Sequence, residues 1–188
     1  MPNLASIQRV SILATEGVFA STLTQAKDFF HMASLRYGKQ LGLDLTPAFE
    51  TRLVSPDGKA VNTFSGIAIA VDSPLDDADM VILPAFWGDF DALCAQHPGV
   101  MPWLRERHAA GSVICGEATG VFWMAQAGLL EGREATTHWR FAGEFAERFP
   151  GAQFSADKHL TDSDNLYCAG GTTSACDLYM YLIERFCG

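Results

Sequence analysis

The stretch SVICGEATGVFWMAQAGLL, residues 112–130, passes from an apolar, β-branched run to a helical pattern across a few small residues. A strand that turns so sharply into a helix sets one residue over the end of a sheet, where nucleophiles are presented and small polar ligands gather. The junction belongs to a wider alternation. Residues 9–14 read as a buried strand, 22–37 as a helix ending at Gly38, and 49–54 as a strand stopped by the SPDG turn at 55–58. Residues 61–64 and 67–71 read as short edge strands or a hairpin, and 80–83 as a central parallel strand closed by Pro84. Helices are expected at 90–96, 101–110 and 139–149, short strands at 159–161 and 166–168, and a last helix at 173–186. Such alternation predicts a mostly parallel sheet with helices on both faces, in one domain over residues 1–188. Ligands are then expected at the carboxyl ends of the strands.

The formal net charge of −9 gives a surface that repels phosphate backbones, which excludes direct DNA binding by these residues as their main task. The five cysteines, at 94, 115, 168, 176 and 187, form no C-x-x-C pair, and neither they nor the histidines have metal-ligand spacing. No metal or cofactor is expected. The start, MPNLAS, lacks a basic and apolar leader, and no run approaches a membrane span, so the expected location is the cytoplasm.

Two segments carry a family resemblance: ATGVFWMAQAGLLEGREATTHWR at 118–140 and YCAGGTTSACDLYMYLIERFCG at 167–188. Together with RLVSPDGKAV at 52–61 and DMVILPAFWG at 79–88, they make the chain resemble the DJ-1/PfpI superfamily, and within it the N-terminal domain of AraC-type transcriptional regulators. The resemblance implies an α/β, flavodoxin-like three-layer sandwich related to class I glutamine amidotransferase domains, and a homodimer. It also implies an elbow reading Cys-Thr-Gly, with an acid supplied from the loop after the first strand. Counting back from Ala127-Gly128-Leu129-Leu130 sets Ala118-Thr119-Gly120 on that triplet, so an alanine occupies the nucleophile's position. The same register sets Thr22 where the acid is expected and Ala26 where a proline is expected.

The candidate ligand-binding residues are Glu117, Ala118, Thr119, Gly120, His138, Trp87, Phe86, Glu16 and Thr22; none is assigned a catalytic role. Glu16 could reach the pocket from another point on its loop or be solvated. His138 matches a histidine that the family places near the nucleophile, and is either a pocket wall or a packed side chain. Backbone N–H groups at Thr119 and Gly120 would favour a carboxylate, whereas an inward Glu117 would favour an ammonium group. Phe86 and Trp87 could wall a pocket, pack the loop or contact a second subunit. Gly170 and Gly171 suit a tight turn, and Asp177 a structural hydrogen bond.

The reading these features favour is a ligand-sensing and dimerisation domain of an AraC-type regulator, its helix-turn-helix domain expected after residue 188. The effector would be a small molecule, an amine or amino-acid derivative. The alternative is a free-standing enzyme of the DJ-1/PfpI group, such as a hydratase, glyoxalase-like protein or amidase, using Cys115 or Cys168. A ligand-free structural dimer is the third.

Overall fold

A computed structural model of the chain describes residues 8–40, 42 and 48–187. The N-terminal residues on which the leader was judged, and Gly188, lie outside that set. Strand β1 (Arg9–Leu13) leads to helix α1 (Ala20–Gln40), then β2 (Glu50–Ser55), the small hairpin β3 (Val61–Asn62) and β4 (Ala68–Ile69), and β5 (Ser73–Pro74). The middle of the chain holds β6 (Met80–Leu83), α2 (Phe90–Gln96), α3 (Val100–Ala109), β7 (Val113–Glu117) and α4 (Val121–Gln126). The remainder is β8 (Glu134–Ala135), α5 (Ala142–Arg148), β9 (Gln153–Phe154), β10 (Leu160–Ser163), β11 (Leu166–Ala169) and α6 (Thr172–Cys187).

Seven strands form one sheet in the order β10-β11-β7-β6-β1-β2-β5. All its pairings are parallel except β10 against β11. The apolar runs of the central strands alternate between the two faces, as a period of two requires. Ile12, Met80, Ile82, Val113 and Cys115 pack under α1 and α6, where they meet Leu23, Phe30, Leu178 and Leu182. Val81, Leu83 and Ile114 face the other way, toward Leu93 of α2, Leu104 of α3, Trp123 of α4 and Phe145 of α5. The expected three-layer α/β sandwich is therefore present, and it is flavodoxin-like.

Differences from the sequence reading are local. The segment 139–149 is a 3-10 turn, Trp139–Phe141, running into α5 rather than one helix. The two-residue strands β5, β8 and β9 were not foreseen, since two residues carry no periodicity.

Candidate functional site

β6 and β7 end side by side, Leu83 pairing with Gly116, and set the loops that follow them over the carboxyl edge of the sheet. Glu117 is still extended, at φ −114° and ψ 124°. Ala118 then takes φ +48°, and a 3-10 turn over Ala118–Gly120 runs into α4. A left-handed alanine costs roughly 1–2 kcal/mol, so the surroundings impose it. Two glycines allow it. A Cβ on Gly116 would lie 2.8 Å from the Met124 sulfur and 2.9 Å from Val121 Cα, and one on Gly120 would overlap the Leu83 carbonyl oxygen. Two hydroxyls then fasten the turn. Thr119 Oγ1 accepts from the Phe86 amide at 2.8 Å and donates to the Phe86 carbonyl at 2.7 Å, while Thr137 Oγ1 donates to the Ala118 carbonyl at 2.7 Å.

Ala118 sits at the tip as the register predicts, 5% exposed, and its methyl group offers no lone pair for attack. Glu117 is fully buried and neither of its carboxyl oxygens has a hydrogen-bond partner. Strand alternation puts it on the face of Cys115, toward α1 and α6. Burial without a partner raises its pKa well above the ordinary carboxylate value, so the neutral acid is favoured.

Beside the elbow, Phe86, Trp87, Gly88, Thr119 and Phe141 enclose a cavity of about 200 Å³. Phe86 is a core residue, whereas Trp87 is 43% exposed and forms part of an aromatic roof. Its ring lies 5.9 Å from that of Phe64 and 5.7 Å from that of Phe141, and the Arg140 guanidinium stands 5.5 Å above its centre. The Trp87 amide donates to the Gly17 carbonyl at 2.9 Å, and a Cβ on Gly17 would overlap the Trp87 carbonyl oxygen. The loop after β1 thus lies against the roof.

The remaining sequence candidates are placed as follows. Both oxygens of Glu16 accept from the Asn62 amide at 3.2 Å, which ties the carboxylate to the β3–β4 hairpin. Thr22 is buried and its hydroxyl donates to the Phe19 carbonyl at 3.0 Å. His138 is half-buried, with Nδ1 accepting from the Arg140 amide at 3.3 Å. Thr137, Phe64, Phe141 and Arg140 were not singled out from the sequence. Thr137 directly precedes His138, which was.

Cys115 and Cys168 are fully buried in the core. Burial, with the Glu117 charge second, pushes the Cys115 thiol far up, and burial pushes the Cys168 thiol up to about 11. Among the described residues no cluster of His, Cys, Asp or Glu could hold a metal ion, and no helix is long and apolar enough to cross a membrane.

A left-handed residue on a strand-to-helix elbow, over the carboxyl edge of a flavodoxin-like sheet, defines the α/β proteins that present one side chain at such a turn. Residues 9–185 match the DJ-1/PfpI family, and the chain belongs to that family. It is 32% identical over 154 residues to the HTH-type transcriptional regulator CdhR of Pseudomonas aeruginosa, covering 80% of this chain and 44% of that protein. It is 25% identical over 187 residues to the HTH-type transcriptional regulator GbdR of the same species, covering 98% of this chain and 48% of that one. The chain thus spans about half the length of these curated relatives. Isonitrile hydratase of Pseudomonas putida is a more distant relative, 25% identical over 145 residues, covering 76% of this chain and 61% of that protein. Among solved structures, a Vibrio parahaemolyticus protein superposes with a TM-score of 0.84 at 25% identity, covering 97% of this chain and 94% of that one. An AraC family transcriptional regulator from Pseudomonas putida shares the fold, with a TM-score of 0.73 at 20% identity over 96% of this chain and 93% of that one.

Proposed function

We propose that this chain is the effector-sensing and dimerisation unit of an AraC-type transcriptional regulator, acting without catalysis in the cytoplasm as a homodimer. In this reading a helix-turn-helix domain that follows residue 188 binds DNA. The effector is a small cation, an amine or amino-acid derivative, received at the elbow. The observation that carries the reading is the pairing of Ala118, at the tip of the turn, with the fully buried and unpartnered carboxyl of Glu117 behind it.

A buried carboxyl with no partner is costly, and a ligand ammonium or guanidinium group that takes its proton's place relieves that cost. The entry in this reading is the cavity beside Thr119; Glu117 does not line it and lies toward α1 and α6, so admission of the ligand to its carboxyl requires the turn at Ala118 to move as well as the aromatic roof of Phe64, Trp87 and Phe141. Absence of catalysis is supported by the alanine at the tip and by the burial of Cys115 and Cys168, which keeps both thiols protonated. The effector acts on transcription only insofar as it binds one arrangement of the dimer better than another.

The test is a thermal-shift titration of the chain with alkylamines, amino acids, guanidinium compounds and small carboxylates. A saturable shift with cations that is lost in Glu117→Gln and in Ala118→Phe supports the reading. No shift with any cation, or an undiminished shift in Glu117→Gln, overturns it.

A further inference from the structure

We propose that the cavity at the elbow takes the apolar side chain of an amino acid, aromatic or branched, and that Arg140 at its rim holds the carboxylate of the same molecule. This rests on the effector reading and deepens it, by naming the two parts of the effector that a cation alone leaves open. Three of the side chains around the cavity are aromatic, those of Phe86, Trp87 and Phe141, and the fourth is Thr119. The Thr119 hydroxyl is spent, since it accepts from the Phe86 amide and donates to the Phe86 carbonyl. Among the lining side chains that leaves the indole N–H of Trp87, which can only donate. An ammonium group seated there gives up its hydration and finds no side-chain acceptor, whereas an apolar group gives up nothing. An apolar cavity of about 150 Å³ takes up a benzene ring, so this one, at about 200 Å³, has room for a phenyl or branched alkyl group.

Aromatic walls suit a cation as well as an apolar group, and Arg140 decides between them. Its guanidinium already stands over the Trp87 ring, 5.5 Å from the centre, so a ligand cation among these rings meets a like charge. An anion is drawn to the same place. Arg140 is exposed, and among the described residues its side chain forms neither an ion pair nor a hydrogen bond. Apart from Arg36, every other arginine is bound to an acid or a backbone carbonyl. In a chain with 22 acidic and 13 basic residues, the cation left free at the mouth of the cavity is available to a ligand. Trp87 is a wall of the cavity, so the guanidinium over its ring borders the same space, and a planar guanidinium grips a carboxylate with two parallel hydrogen bonds. The ammonium group of the same amino acid is the cation that the effector reading takes to Glu117.

Isothermal titration calorimetry of the 188-residue chain tests this with phenylalanine, leucine, alanine, phenethylamine and 3-phenylpropionate, for the native sequence, Arg140→Gln and Arg140→Lys. The melting temperature of each variant without ligand checks its folding. Phenylalanine or leucine is expected to bind at least about tenfold more tightly than alanine, which lacks the large apolar side chain, and phenylalanine at least about tenfold more tightly than phenethylamine, which lacks the carboxylate. Arg140→Gln is expected to bring phenylalanine and phenethylamine within about threefold of each other, and Arg140→Lys to keep part of the difference. Equal binding of phenylalanine and phenethylamine by the native chain, a difference that survives in Arg140→Gln, or no binding of either apolar amino acid overturns the proposal, and each of these leaves the cation reading to its own titration with amines and guanidinium compounds. Binding of 3-phenylpropionate as tight as that of phenylalanine supports the cavity and Arg140 as assigned, and counts against Glu117 as a cation site.

Discussion

The hydroxyl of Thr119 both accepts from the Phe86 amide and donates to the Phe86 carbonyl, so one elbow side chain holds both polar groups of a residue in the loop after β6. That loop is in turn joined to the loop after β1. Val18 and Phe86 form an isolated β-bridge, and the Phe19 amide donates to the Ala85 carbonyl at 2.9 Å one residue before α1 begins. A hydrogen-bonded chain thus runs from the elbow to the first turn of α1. It is a physical route by which occupation of the elbow could bias the setting of α1.

Replacing Thr119 by valine keeps the volume and removes the hydroxyl, which strands a buried N–H and a buried C=O of Phe86. Each orphaned group costs about 1–3 kcal/mol, so Thr119→Val is expected to destabilise by about 2–6 kcal/mol. Thr119→Ser keeps the clamp and loses only a methyl group, at about 1 kcal/mol. Urea unfolding of the two variants measures the gap. Equal midpoints would mean that water replaces the hydroxyl.

Ala118 is strained at φ +48°, and glycine adopts that conformation freely. Ala118→Gly is therefore expected to gain up to about 1 kcal/mol, the relief of strain being partly offset by the extra freedom of the unfolded chain. Ala118→Val adds a β-branched side chain at a left-handed position and is expected to destabilise. A denaturation midpoint that falls in Ala118→Gly contradicts the left-handed tip.

Alkylation of the native protein at neutral pH separates a sensor from an enzyme with a displaced thiol. Among the four cysteines whose side chains the structure describes, half-exposed Cys176 is expected to label first. Cys94, held up to about 11 by burial, should follow slowly, while Cys115 and Cys168 react only on global unfolding. Mass spectrometry of a time course reads the order. Selective early labelling of Cys115 would revive the enzymatic alternative.

Much of this was legible in the sequence because buried parallel strands are apolar throughout and helices are periodic. Met80–Leu83 was found on that basis, as was the apolar run 112–115, which the structure extends through Gly116 to Glu117, and the family resemblance, counted back from the Ala-Gly-Leu-Leu run, set Ala118 at the tip. What the sequence does not carry is direction. Glu16 reads as a carboxylate near the pocket, yet it binds the Asn62 amide, because the β3–β4 hairpin folds back beside it and the hairpin's position follows from tertiary packing. Thr119 reads as a source of backbone donors, while its side chain turns out to be the fastening. Phe86 and Trp87 are neighbours with opposite fates, one in the core and one in the roof, since the loop passes out of the sheet between them.

Glu117 gives the clearest dependence on pH. Its carboxyl is buried without a partner, so its pKa in the folded state lies well above the ordinary value of 4.5, which it regains on unfolding. Below that value both states are protonated and the residue adds no pH dependence. As pH rises past 4.5 the unfolded chain releases this proton and the folded one keeps it, so the unfolded state is progressively favoured. Stability then falls by about 1.4 kcal/mol for each pH unit until the folded-state pKa is reached, where the slope ends. Glu117→Gln is isosteric and cannot ionise. The variant is expected to lose this component of the slope and to exceed the native protein in stability at neutral pH. Urea unfolding of both proteins from pH 4 to pH 8 measures the difference, which isolates Glu117 from the other titrating groups. A difference that stays constant across the range would mean that Glu117 ionises alike in both states and has found a partner in solution, removing the basis for a cation site at the elbow.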